Sequence, residues 1–435
     1  MEKFSEIQYA RPDGQAFLAV ICHAANALKE SVGYGEAKEV FDKVKKEGNH
    51  FQTMQVVASI RNTINTLDEF YEKEMEYFYG IQPKIGVEMK KFNEALLSSE
   101  FVDKFEEEYG SLLIQQIRSS LRLTDECNVE LQVQESMLVQ EYSKAAASPV
   151  TEFHGEKLNF YGLLKQMQST DRGIRKEAFE AWSAMYESIS GKLDEIYTKL
   201  MKIRLQMAEN LGFSGYEEMV FESMGRYTYT PKDVAVFREE VCKHVVPVCR
   251  ELFEKQKARL GVEKLHYYDE GLVYPEGNAV PIGTMQEQLE NAGKMYRELS
   301  KETGIFFDFM LEHDLFDLET KPGKHQGGYC TMLTDYKAPF IFSNFNGTSA
   351  DVDVLTHEAG HAFEAFEASR RVALTEQVFS TLYVDGVLHI SVDGIVLRGK
   401  CRQVSPGAFV GCFAVCPVYG VCGRISASCI CGEAV

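Results

Sequence analysis

The chain has 435 residues, 45% of them apolar and 26% charged, with a formal net charge of −19. That is length enough for two domains or one large one, and the composition is that of an ordinary soluble globular protein. So acidic a surface repels nucleic acid and anionic membrane, which excludes both as partners. The opening "MEKFSEIQYARPDG" lacks the charged-then-apolar layout of a secretory signal, so a cytoplasmic, reducing location is expected.

Residues 1–145 read as successive helices. "GEAKEVFDKVKKEGNHFQTMQVVASIRNTINTLDEFYEKEMEYFYG" carries apolar residues at three- and four-residue spacing, "PKIGVEMKKFNEALLSSEFVDKFEEEYG" continues the pattern, and Leu131 to Ala147 forms another helix. Pro149 and Gly155 then break it, which places a domain boundary near 150. Residues 170–305 are again mostly helical, with Asp171 as an N-cap, and with Thr230 capping a helix whose first residue is Pro231. "YYDEGLVYPEGNAVPIGT" reads as a loop. At 321–349 the texture changes to glycines, aromatics and short apolar runs. Two strands are expected, Tyr329–Leu333 and Pro339–Phe345, with a turn at Asn346–Gly347. These form the one convincing sheet, directly before a helix that starts near Ser349 or Asp351. There is no internal repeat and no low-complexity tract.

That helix contains HExxH: His357, Glu358 and His361. Two His four residues apart project from one helix face, one turn apart, and can meet at one tetrahedral zinc. Glu358 then points beside the metal, where a bound water has its pKa lowered to about 7. A carboxylate there can take the water's proton and pass it to a leaving amine while the metal polarises the scissile carbonyl. A bare HExxH also arises by chance as a polar helix face. Two features add weight. Gly360 sits mid-helix, where it costs roughly 1 kcal/mol against Ala, and close approach of another backbone would compensate. A strand just before the motif suits a peptide that binds by adding to a sheet edge. Asp353, one turn before His357, could orient that ring, although the helix dipole alone explains an acid in a first turn.

"GKHQGGYCTMLTDYKAPFIFSNFNGTSADVDVLTHEAGHAFEAFEASR" resembles the oligoendopeptidase F family of zinc metallopeptidases, relatives of thimet oligopeptidase. "FQTMQVVASIRNTINTLDEFYEKEMEYF", "YDEGLVYPEGNAVPIGT" and "MYRELSKET" resemble further family segments, so the likeness extends over residues 1 to about 376. It implies a mainly α fold, two-lobed, with a deep groove for short peptides and a small β-sheet beside the HExxH helix. It implies Zn2+ as cofactor, ligated by His357 and His361, with Glu358 as general base. It also implies substrate binding by Gly327, Gly328 and Tyr329 of the "GGYC" stretch and by Pro339, Phe340 and Phe342 of the following strand. In the family a third ligand, a Glu, follows about 24 residues past the second His in a stretch like "ACEIHSMSMEF". Farther on, "VDEFQHxVY" supplies His and Tyr donors. Neither stretch occurs here.

Two kinds of sequence meet near Glu376. Cys22, Cys127, Cys242, Cys249 and Cys330 are spread over the first 376 residues, whereas Cys401, Cys412, Cys416, Cys422, Cys429 and Cys431 crowd the last 35. Residues 377–435 hold seven Asp, Glu, Lys or Arg, against 104 in the preceding 376. A cysteine-rich metal or disulfide module lacks paired CxxC spacing and needs an oxidising compartment. A membrane anchor is opposed by the glycines and prolines of Val404–Gly423. A genuine packed domain is a third reading, and a shifted reading frame is the fourth. "CGRISASCICGEA", back-translated with permitted codons and read one nucleotide later, gives Val-Asp-Glu-Phe-Gln-His-His-Val-Tyr-Ala-Glu-Lys. That is the absent family motif, so the frameshift is the favoured reading, with its break point open. Asp385, 24 residues after His361, has the separation of the third ligand but not its surroundings. Glu364 shares the His face but lies far along the helix axis.

The expected organisation is therefore an N-terminal helical domain (1–150), an incomplete catalytic domain (151–376) and an out-of-frame tail (377–435). The expected function is zinc-dependent hydrolysis of internal bonds in short peptides, with this translated chain near-inactive for want of its third ligand. A non-catalytic peptide-binding protein on the same scaffold is the rival. A membrane-tethered or redox-active variant with a real tail module comes third.

Overall fold

The computed structural model describes residues 1–374 and Gln377. The expected tail, Asp385 included, lies outside the described residues apart from Gln377.

The expectation of a mainly α fold with a small sheet beside the HExxH helix holds. Helices α1 (Gly14–Glu30), α2 (Tyr34–Ile64) and α3 (Glu69–Leu97) open the chain, followed by α4 (Val102–Tyr109) and α5 (Ser111–Leu123). Asp13 and Asp68 cap α1 and α3, each accepting two backbone N–H bonds. The buried residues of α1, Ile21, Ala24, Ala25 and Leu28, keep helical spacing and face α2 and α3. Phe41, Phe78, Phe92 and Phe105 fill this core without exposure beyond 1%, at roughly 1.5–3 kcal/mol each. Pro83 does not interrupt α3.

After α6 (Val129–Ala147) comes a hairpin that the breaker residues concealed, β1 (Thr151–Phe153) paired antiparallel with β2 (Glu156–Leu158). Its turn residues His154 and Gly155 both have positive φ, 50° and 85°. That backbone matches the twist of a tight hairpin. Next come α7 (Phe160–Gln166) and the long α8 (Arg172–Asn210), capped by Asp171 as expected. Helix α9 (Tyr216–Ser223) precedes α10 (Pro231–Glu240), where Thr230 and Asp233 form a capping box. Pro247 lacks the N–H that would reach the preceding turn, and the chain makes a π turn over Val241–Val245 before α11 (Val246–Leu260). Within the expected loop a short helix, α12 (Tyr267–Glu270), forms around the fully buried Asp269. Arg172 and Arg175 of α8 bind that carboxylate.

Helices α13 (Met285–Leu299) and α14 (Lys301–Glu312) lead into the second sheet. Strands β4 (Tyr329–Leu333) and β5 (Ala338–Phe345) lie where expected, antiparallel to each other. An unexpected strand, β3 (Phe316–Glu319), pairs parallel with β5, giving the order β3–β5–β4. Helix α15 (Ser349–Ala368) carries HExxH and packs on β5 and β4. Between them lies the second large core, where Tyr296 stacks on Phe307 at 4.7 Å and Phe306 meets Phe363 and Phe366 edge-on.

Candidate active site

Helix α15 divides its faces. Leu355, Ala359, Ala362 and Phe366 recur at helical spacing and are buried in the core against the sheet. Two alanines in that stripe let the helix lie close to the strands. The helix start is tied to the strand end by Asp351, whose carboxylate accepts the N–H groups of Asn346 and Gly347 at 3.0 and 2.7 Å. Burial pushes the Asp351 carboxyl up, against the pull of those two donors. Gly347 has φ +83°, which explains a glycine at this turn.

His357 and His361, both half-buried, stand side by side on α15. Their ring centroids are 5.2 Å apart with planes at 89°. Two imidazoles on one tetrahedral zinc at ~2.0–2.1 Å have centroids roughly 5 Å apart, so the pair fits that ion as two of its ligands. Glu358 is 4% exposed, Asp353 is exposed, Glu364 is half-buried and Gly360 is buried. Among the described residues no group of three or more His, Cys, Asp or Glu is arranged to hold a metal ion.

The GGYC stretch lies against this helix. A Cβ on Gly328 would sit 3.3 Å from the Phe342 carbonyl oxygen, 3.5 Å from Val354 Cγ1 and 3.6 Å from Glu358 Oε1. Only a glycine brings backbone so near the carboxylate without displacing a neighbour. Gly327 has φ +95° and donates its N–H to the Tyr161 hydroxyl at 2.7 Å. Tyr329 turns inward, its ring stacked on Phe342 at 4.7 Å and its hydroxyl 2.6 Å from Thr63 Oγ1. Burial pushes that phenol up, out of the physiological range.

The sheet assigns the strand residues differently from the sequence reading. Pro339, Phe340 and Phe342 lie on β5, the central strand, where every residue is buried. With β3 and β4 on either side, their main chain is taken up within the sheet and they back the edge strand β4. Sequence reasoning also missed Asn344, Tyr161 and Lys324. The Lys324 ammonium is buried, pairs with Asp317 Oδ1, donates to the Asp317 and Glu319 carbonyls at 3.1 and 2.8 Å, and lies 4.5 Å from the Phe342 ring centroid. Burial lowers its pKa, against the opposing pull of Asp317.

Comparison with known proteins bears on both halves of the chain. The family model described as Peptidase M3 N-terminal domain matches residues 4–124, and that of Peptidase family M3 matches residues 165–381. A solved structure of PZ peptidase A with an inhibitor is 38% identical, with TM-score 0.92 over 96% of this chain and 75% of that one. A Bacillus anthracis structure described as an oligoendopeptidase F is 34% identical, with TM-score 0.92 over 97% of this chain and 78% of the other. The plasmid-encoded oligoendopeptidase F of Lactococcus lactis subsp. cremoris is 24% identical over 200 residues. That match spans 46% of this chain and only 32% of the relative.

Proposed function

The chain belongs to peptidase family M3, and from that premise we propose that its scaffold is that of a zinc-dependent oligoendopeptidase acting on internal bonds of short peptides. The observation that carries this reading is that one helix holds two adjacent imidazoles and a buried carboxylate, Glu358, against which the Gly328 backbone packs just before an edge strand. His357 and His361 would hold the zinc. When bound, the ion supplies Lewis acidity toward a scissile carbonyl and toward water. Glu358 accepts the water's proton and delivers it to the departing amine. The outer edge of β4 offers main-chain groups along which an extended peptide can align, in a groove between an N-terminal helical domain and a catalytic domain that meet near residue 150.

As translated, the chain holds zinc weakly and turns over little. Two imidazoles are an incomplete set for a catalytic zinc, which takes three protein ligands. The same incomplete set makes peptide binding without catalysis the second reading. We further propose that the third ligand is encoded in a shifted frame beyond about residue 376, which resequencing of the gene from the Ala350 codon onward tests.

The deciding experiment uses the full chain, dialysed against zinc, with metal analysis and a quenched peptide, wild type beside Glu358→Gln. The expected result is substoichiometric zinc, little turnover, and peptide affinity equal in both proteins. Stoichiometric zinc with robust cleavage that Glu358→Gln abolishes would overturn the inactivity proposal. Absence of any peptide binding would sink both readings.

A further inference from the structure

The β4–β5 ladder pairs Tyr329 with Phe342, so its continuation would set Gly327 opposite Asn344. The ladder stops short of that pair. Gly327 is in the left-handed region, at φ +95°, and its N–H turns away to Tyr161. The side chain of Asn344 replaces the missing ladder: Nδ2 donates to the Gly327 carbonyl at 2.8 Å and to the His325 carbonyl at 2.9 Å. Asn346 Nδ2 donates to the Tyr161 carbonyl at 2.9 Å, which ties α7 to the same strand end. Asn344 is 7% exposed, so these bonds have little competition from water. Meeting two carbonyl oxygens from one short neutral side chain requires a donor with two hydrogens. The amide of Asn supplies this; an ionised Asp supplies none and a Ser only one.

We propose that Asn344 is a positioning residue. Its amide fixes the 325–328 turn so that Gly328 rests against the Glu358 carboxylate at the start of edge strand β4, set for an incoming peptide. This rests on the peptide-binding reading above. Asn344 does not touch the peptide; it acts through the turn. Tyr161 holds the same turn by a different bond, so the two residues give independent handles on one structure.

The test measures two quantities on the full chain carrying Asn344→Asp or Tyr161→Phe. One is affinity for a fluorescein-labelled short peptide of mixed sequence, and the other is amide hydrogen exchange across residues 325–329. Loss of a buried bond to this turn predicts about tenfold weaker binding for Asn344→Asp and a smaller loss for Tyr161→Phe. Exchange at Gly327 should accelerate in both variants, more in Tyr161→Phe, which removes the acceptor of that N–H, while α1 to α3 keep wild-type exchange. A merely structural role would lower stability without linking affinity to the local exchange rate. Wild-type affinity despite accelerated exchange overturns the positioning role, and unchanged exchange at Gly327 overturns the clamp itself. If wild type binds no peptide, the peptide reading falls while the exchange result still decides the clamp. Should Asn344→Asp fail to fold, Tyr161→Phe, which removes one hydroxyl, decides the question alone.

Discussion

Replacing Asp269 by Asn should destabilise the module built on α8 by about 3–5 kcal/mol, the loss seen when one partner of a buried ion pair is removed. The carboxylate is fully buried and the Arg175 side chain is 3% exposed. Arg175 Nη2 donates to Oδ1 at 2.8 Å, Arg172 donates through Nε and Nη2 at 3.0 and 2.8 Å, and the His266 N–H adds a bond at 3.0 Å. Asn would turn an amide hydrogen toward guanidinium donors and leave the Arg175 charge buried without its counter-ion. The same geometry sets a pH dependence. Burial alone would raise the Asp269 pKa, but the two guanidiniums and the His266 amide bring it down to about 2, from 3.8. A folded pKa below the unfolded one gives stability that is present above pH 3.8 and lost as pH falls through 2. At 1.36 kcal/mol per unit the contribution is about 2 kcal/mol. The chain's one tryptophan, Trp182, lies on α8 and packs near Phe160 and Tyr186, so its fluorescence reports this module. Urea titrations of both proteins at pH 7 and between pH 4 and pH 2 give the two numbers. A variant within about 1 kcal/mol of wild type at pH 7, or one with an unchanged acid limb, would refute the argument.

Gly328→Ala places its Cβ 3.3 Å from a carbonyl of the central strand, close enough to push the turn back by a few tenths of an ångström, and in van der Waals contact with Glu358 Oε1 at 3.6 Å. Crowding and the reduced freedom of the unfolded chain oppose each other, so stability should change by less than about 1 kcal/mol. Peptide affinity, read by calorimetric titration, should fall severalfold, and an unchanged affinity would show that this edge is not in use. Removing metal with EDTA should leave the melting temperature within about 2 °C of the zinc-dialysed chain, because a ligand held weakly adds little stability; a drop of 10 °C would mean that zinc is bound far more tightly than two imidazoles hold it.

Much of the site could be read in the sequence because its signals are local. HExxH needs only helix geometry to bring its three side chains together, and Asn346–Gly347 marks the turn before it. Strand β5 is a run of apolar residues long enough to be unmistakable. The missed elements owe their structure to distant partners. Strand β3 is four residues, two of them acidic, and becomes a strand only because β5 lies alongside. Asp269 looks like any loop acid until two arginines almost a hundred residues earlier reach it. Asn344 reads as a polar interruption in a strand, and its function appears only with the carbonyls of His325 and Gly327 in place.

Pro339, Phe340 and Phe342 entered as substrate residues through the family resemblance alone. They lie on the central strand of their sheet, and a strand hydrogen-bonded on both sides has no edge to offer. Among the described residues β4 lies at the edge of its sheet, and it begins where Gly328 brings backbone near the candidate base. The burial stripe of α15 is formed by Leu355, Ala359, Ala362 and Phe366, none of which belongs to the chemistry. The scaffold of the site is thereby held by packing that needs no metal. A chain without a third ligand would still present both imidazoles and the carboxylate on this scaffold, and for that reason peptide binding and catalysis can be separated here by experiment.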